Sequence, residues 1–309
     1  ESKTFYSFIS SSWLDAISNY YVPNNHIFHS ICARIFILVL GNEEWVFRIP
    51  VFISGVFCLL LIFIFAVKFY NKQIALILLA LTVNATPLVF YSVNARGYIM
   101  VTLFFLSLLV LIKLLRKKES IVLWILFIIL ATIGIWTIPT MIMSIIFLFS
   151  WYIINSKKSH LRVNIFRLLI IGLCLMITSF IVYTPVILRS GLSAITSNQY
   201  VQSNTFSNII NRIPGYFNEL WIFLTSGYSF EIQVPIFLLL LLGTYYHIKK
   251  KEHRNVAYSI FLLFVVILFV MRKMPYARTL LFIYPIFWTL IASGIYFLTS
   301  CIVQYFRIS

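Results

Sequence analysis

Acidic side chains are scarce in this 309-residue chain, with eight Asp and Glu set against 24 Lys and Arg. All eight (Glu1, Asp15, Glu43, Glu44, Glu119, Glu219, Glu231 and Glu252) lie between apolar runs or at their ends. Ion-coupled transporters and proton pumps carry ionisable groups within their spans, so this distribution speaks against that class. Cysteine is sparse as well. Cys32, Cys58, Cys174 and Cys301 are far apart and form no C-x-x-C, which argues against a disulfide framework or a thiolate metal centre. Period-two alternation is missing from runs such as VFCLLLIFIFAVKF, which excludes a transmembrane β-barrel. No internal repeat is visible, and that weakens an inverted-repeat transporter.

Apolar sequence is what the chain has in excess: 61% hydrophobic residues, 10% charged and a mean hydropathy of +0.98. A soluble domain of this size has too little interior for so much apolar surface. Runs of roughly 17–25 apolar residues cross a bilayer as helices. The expected fold class is therefore all-α: a polytopic integral membrane protein of about nine transmembrane helices plus outer-face juxtamembrane helices. The spans are expected at Val46–Phe69, Gln73–Phe90, Gly97–Leu115, Ile121–Trp136, Ile138–Ile154, Val163–Leu188, Ile232–His247, Val256–Met271 and Thr279–Phe306. Pro139 marks a tight turn between the fourth and fifth.

Alternation along those spans sorts the connections into two sets. One holds fifteen of the 24 basic residues and two of the acids; the other holds nine basic residues and six acids. The net charge of +16 thus sits mostly in the short connections of one side, which the positive-inside bias assigns to the cytoplasm. It does not form a groove with interleaved aromatics, and no nucleic-acid partner is expected. The division is then residues 1–45, an outer loop with juxtamembrane helices, and residues 46–309, a transmembrane helical domain with a further outer loop at 189–231. His26–Leu40 and YFNELWIFLTS are apolar but too short to cross. The chain opens at Glu1 on the outer side, which predicts one more span upstream.

Arginines on the outer set are the unusual feature. Arg48 has Glu43 and Glu44 nearby, and pairing accounts for it. Arg96 in FYSVNARGYIM has no acid within twenty residues, and Arg278 in MPYARTLLFIYP is similar. Such arginines either snorkel to lipid headgroups or bind an anion. A guanidinium suits phosphate because its planar fork gives paired donors and keeps its charge. In VPNNHIFH, Asn25 is placed to cap a helix running from His26. His26 and His29 share a face of that helix, either as a wet helix end or as part of a site. As a metal pair they lack a placed carboxylate.

The order of PNNHIFHSICARIFILVLG, NEEWVFRIPVFISG and PLVFYSVNARGY resembles the C-type (GT-C) polytopic membrane glycosyltransferases, the superfamily of bacterial protein O-mannosyltransferases and aminoarabinose transferases. The matching positions are Pro23, Asn24, Asn25 and His26; Trp45, Arg48 and Pro50; Tyr91, Ser92, Ala95, Arg96 and Tyr98; and Arg278 and Pro285. The resemblance implies transfer of a sugar from a polyprenyl-phosphate-linked donor to a lipid, glycan or protein acceptor at the outer face of a bacterial cytoplasmic membrane. It implies Glu1 as the catalytic carboxylate, the second member of an Asp-Glu pair whose Asp would precede it. It implies Asn25, His26, Tyr91, Arg96, Tyr98 and Arg278 as substrate-binding residues. Asn94 departs from the pattern, standing where many relatives carry an acid. No cofactor is demanded; a divalent cation is left open, with Glu1, His26 and His29 as ligand types. Rival readings are a lipid or sugar transporter or flippase, an outer-face glycan ligase, and a non-catalytic membrane scaffold.

Overall fold

A computed structural model describes residues 4–20, 25–196, 204–250 and 254–308, and among them it is all-helical with no strand. The N-terminal segment comprises a helical turn at Phe5–Ile9, then α1 (Trp13–Ser18) and α2 (Ile27–Leu40). Ser12 caps α1 by accepting the Asp15 N–H at 3.1 Å, and Gly41 ends α2 at φ 93°, a left-handed conformation that favours glycine. The bundle then runs α3 (Ile49–Phe69), α4 (Lys72–Val83), α5 (Thr86–Val93), α6 (Tyr98–Lys117), α7 (Ile121–Thr137), α8 (Met141–Ile154) and α9 (Leu161–Ser190). It continues with α10 (Phe206–Leu224), α11 (Phe230–Lys249), α12 (Arg254–Val265) and α13 (Tyr284–Ile308).

Every expected span falls on helix, with two corrections. Among the described residues, five helical segments are long and apolar enough to cross a membrane alone: Val46–Phe69, Tyr98–Lys117, Lys158–Ser190, Phe230–Lys249 and Ala277–Phe306. Ile121–Thr137, Met141–Ile154 and Asn255–Val270 are shorter apolar helices, so a count of nine full crossings does not follow from helix length. The expected straight span Gln73–Phe90 is instead two helices, α4 and α5, bent by 60°. The sequence TVNATP explains the break. Pro87 lacks an N–H and sits in the first turn of α5, where none is needed, and the N-cap residue Ala85 takes an extended conformation. In the 189–231 connection, α10 is also longer than expected. Ile209, Tyr216, Leu220 and Leu224 form its buried stripe.

The α6 helix is the axis of the bundle: 72% of its apolar window is buried, against 17% for α9 and for α11, which present most of their surface outward. Phe105 near its middle contacts Phe147 of α8 at 5.5 Å and Phe282 at 5.2 Å. Phe282 belongs to the 3-10 turn Ala277–Ile283 that leads into α13. Between lipid-immersed helices it is close packing that holds neighbours together, so these aromatic contacts fix the 277–283 turn against the N-terminal half of α6. The α11 and α13 helices approach closely at Gly243 and Gly294, where an added Cβ would lie 1.8 Å from the Leu290 carbonyl oxygen and 2.2 Å from that of Leu239. Small residues allow such close backbone approach in membrane bundles.

Candidate active site

Three interruptions of helix meet at one end of the bundle: the residues before α2, the residues before α6, and the 277–283 turn. The first contributes His26, buried at the N-terminus of α2. The second contributes Asn94–Gly97, which link α5 to α6. Gly97 donates its N–H to Nδ1 of His26 at 2.7 Å. An accepting Nδ1 is unprotonated, so the neutral ring carries its proton on Nε2. Burial, followed by electrostatic interaction with His29 and with the Arg96 and Arg278 guanidiniums, holds the His26 pKa well below its ordinary value. Arg96 and Arg278, 182 positions apart in the numbering, are both near enough to His26 to act on it electrostatically.

Gly97 is there for space as well as for its N–H. A Cβ at this position would stand 2.4 Å from the Thr137 methyl and 3.3 Å from the Cβ of His26. Tyr98 presents its ring edge-on to His26, with centroids 4.9 Å apart, and to Tyr91 at 5.1 Å. Its hydroxyl accepts from Nε of Arg278 at 3.2 Å. The Arg278 guanidinium lies over the Tyr276 ring, 4.4 Å from its centroid. Both arginines also act electrostatically on Tyr91. Of the residues singled out in the sequence, the structure therefore gathers His26, Tyr91, Arg96, Tyr98 and Arg278. Glu1 lies outside the described residues.

Asn25 has a different place. The helix begins at Ile27, and Asn25 does not cap it. Its amide nitrogen donates to the carbonyls of Ala16 at 2.8 Å and Asn19 at 2.9 Å, and its oxygen accepts from Ser30 at 2.9 Å. This buried side chain ties α1 to α2 and carries His26 on the next residue. Sequence inspection passed over Gly97, Thr137 and Tyr276. Tyr276 stands two positions before Arg278 in MPYAR, a usable signal; the role of Thr137 exists only in the fold.

Of the arginines in the same set of connections, those with described partners are occupied. Arg34 donates to the Ile9 carbonyl at 2.9 Å, Arg48 lies 3.8 Å from Glu44, and Arg189 pairs with Asp15. Arg96 and Arg278 make no ion pair with a carboxylate among the described residues. Asn94 buries its side-chain oxygen beside them without a hydrogen-bond partner among the described residues. Among the described residues no group of three or more His, Cys, Asp or Glu gathers to hold a metal ion, and His26 has already committed Nδ1 to Gly97. An apolar cavity of about 170 Å³ lies between α3, α4 and α5, lined in part by Phe52, Val56, Leu88, Ser92, Val93 and Ile99, and none of the five clustered residues lines it. Two guanidinium groups without a carboxylate partner among the described residues suit an anionic ligand.

Comparison with solved structures finds ArnT from Cupriavidus metallidurans in the apo state, with a TM-score of 0.59 at 12% identity, over 93% of this chain. The chain spans 55% of the length of that structure. No curated protein matches the sequence. Residues 25–183, just over half of the chain, match the family described as dolichyl-phosphate-mannose-protein mannosyltransferase. The architecture is that of the GT-C polytopic proteins, and by this match the chain belongs to the dolichyl-phosphate-mannose-protein mannosyltransferase family.

Proposed function

We propose that the protein is a membrane glycosyltransferase that moves a sugar from a polyprenyl-phosphate-linked donor to a lipid, glycan or protein acceptor at the outer face of the membrane. The observation that carries this reading is the pair Arg96 and Arg278 beside a neutral His26, without a paired carboxylate among the described residues. Two cations so placed leave positive charge for a ligand to balance. A polyprenyl phosphate brings one phosphate to them, and its apolar tail suits the surrounding membrane helices.

In the proposed reaction an acceptor hydroxyl attacks the anomeric carbon and the bond from that carbon to the phosphate oxygen breaks. The bonding electrons leave with the phosphate. The hydroxyl proton passes to a carboxylate base, a role for Glu1. Arg96 and Arg278 stabilise charge growing on the leaving oxygen, the task of preorganised donors. Tyr98 holds Nε of Arg278, which leaves that guanidinium's two other nitrogens for the phosphate. The Asn94 oxygen is an acceptor for a sugar hydroxyl. Membership of a family defined by a dolichyl-phosphate-linked donor supports the donor class.

The test is incubation of the purified protein in detergent with radiolabelled polyprenyl-phosphate sugar and a membrane extract as acceptor source. Release of free polyprenyl phosphate with label transferred to acceptor is expected. Movement of intact donor across reconstituted vesicles without its cleavage would replace this reading with a flippase.

A further inference from the structure

Tyr276 stands two positions before Arg278 in MPYAR. It is an exposed residue, and its ring carries the Arg278 guanidinium, whose central carbon lies over it at 4.4 Å from the centroid.

The local backbone makes that ring a fixed platform. Pro275 precedes it, with φ locked by the pyrrolidine ring. The Tyr276 carbonyl accepts twice from Thr279, from the backbone N–H at 2.9 Å and from Oγ1 at 2.7 Å. Those bonds open the turn Ala277–Ile283. Upstream, the Lys273 N–H donates to the Ile267 carbonyl at 3.0 Å, and the Arg272 carbonyl accepts the Asn204 N–H at 2.8 Å. Downstream, Leu280, Leu281, Phe282 and Ile283 are buried, and Phe282 packs on Phe105. The segment is tied at both ends, so the backbone sets the spacing between ring and guanidinium.

Arg278 needs such a hold. An arginine side chain has more rotamer freedom to lose than most. Arg96 acts on the same histidine, so the two like charges repel, and neither makes an ion pair with a carboxylate among the described residues. The hydrogen bond from Nε to the Tyr98 hydroxyl, at 3.2 Å, fixes one corner of the fork and leaves the group free to pivot about it. A ring face attracts the cation without using any N–H. Tyr98 and Tyr276 together thus hold the guanidinium by two contacts while engaging one of its five donors. The other four lie on the two terminal nitrogens, in the geometry that meets phosphate oxygens in pairs. A carboxylate in place of the ring would hold the arginine as firmly, but it would cancel the charge that a leaving phosphate needs.

We propose that Tyr276 is a positioning residue for sugar transfer, its ring holding the Arg278 guanidinium in the orientation that receives the donor phosphate. The inference rests on the proposed role of Arg278. Single-turnover transfer at saturating donor tests it, with Tyr276→Leu and Tyr276→Phe made in the wild type and in Arg278→Ala, all as monodisperse protein. Tyr276→Leu in the wild type should slow transfer about five- to thirtyfold, the range between an exposed and a desolvated contact of cation and ring. Tyr276→Phe keeps the ring face and should recover most of that loss. In Arg278→Ala the ring has no cation to hold, so adding Tyr276→Leu should cost less than about twofold more. An equal Tyr276→Leu loss in both backgrounds, a Tyr276→Phe loss as large as that of Tyr276→Leu, or a wild-type rate for Tyr276→Leu beside a slow Arg278→Ala would overturn the proposal and leave the role of Arg278 standing. A wild-type rate for Arg278→Ala alone would refute the phosphate reading, and the role of the ring with it.

Discussion

Replacing His26 probes how the site is assembled. Its Nδ1 takes the Gly97 N–H at 2.7 Å, and that bond pins the turn carrying Arg96. In His26→Ala the N–H is left buried without its acceptor, costing about 1–3 kcal/mol. The edge-on contact with Tyr98 goes too, worth about 0.5–1.5 kcal/mol. The expected loss of stability is therefore about 2–4 kcal/mol. His26→Asn keeps an acceptor at a comparable reach and should recover the hydrogen-bond part but not the ring contact. pH supplies a second readout. The folded-state pKa of His26 is depressed by burial first, then by His29, Arg96 and Arg278. Below about pH 6.5 the unfolded chain binds a proton that the native ring refuses. Stability from this group is thus complete above that pH and is lost as pH falls. The His26→Asn variant should show a shallower decline. Thermal unfolding in detergent between pH 5 and 8, with single-turnover sugar transfer on the same samples, measures both. Equal stability of wild type and His26→Ala, with parallel pH profiles, would refute the reasoning.

Three further outcomes are expected. Gly243→Ala should destabilise the protein by about 1–3 kcal/mol or more, since its Cβ would meet the Leu290 carbonyl; Gly172→Ala, with open space around it, should be neutral or slightly stabilising, and paired melting curves compare them. Single cysteines at Lys118 and Lys250 should label only from the cytoplasm and those at Ser193 and Asn204 only from outside, with same-side labelling of Lys118 and Ser193 contradicting the topology. Asp15→Asn should loosen α1 from α9, because Asp15, held below its usual pKa by Ser12 and then Arg189, bridges them; faster amide exchange confined to residues 13–20 would report it, and unchanged exchange would count against it.

Much of this architecture was legible because lipid imposes simple rules. Long apolar runs became helices. Arg96 and Arg278 stood out because arginines between apolar runs without neighbouring acids need an explanation, and the fold brings both within electrostatic reach of His26. The 60° bend between α4 and α5 was less visible: TVNATP carries the turn signals, but the flanking hydropathy runs on unbroken. The role of Asn25 was hidden for another reason. A polar residue before a helix reads as a cap, whereas its partners, Ala16 and Asn19, are fixed by tertiary contact. Gly97 was unreadable for the same cause, since the Thr137 methyl that crowds it lies 40 residues away in sequence.

The central claim is that Arg96 and Arg278 act on one leaving phosphate. Single-turnover transfer at saturating donor, for Arg96→Ala, Arg278→Ala and the double variant, tests it most directly. Each single variant should lose on the order of 10²–10³ in rate, as removal of one preorganised donor does, with Arg→Lys restoring only part. The double variant should lose less than the product of the two, as residues acting as a unit do. Rates within threefold of wild type in either alanine variant, in protein that elutes as a single folded species, would contradict the account.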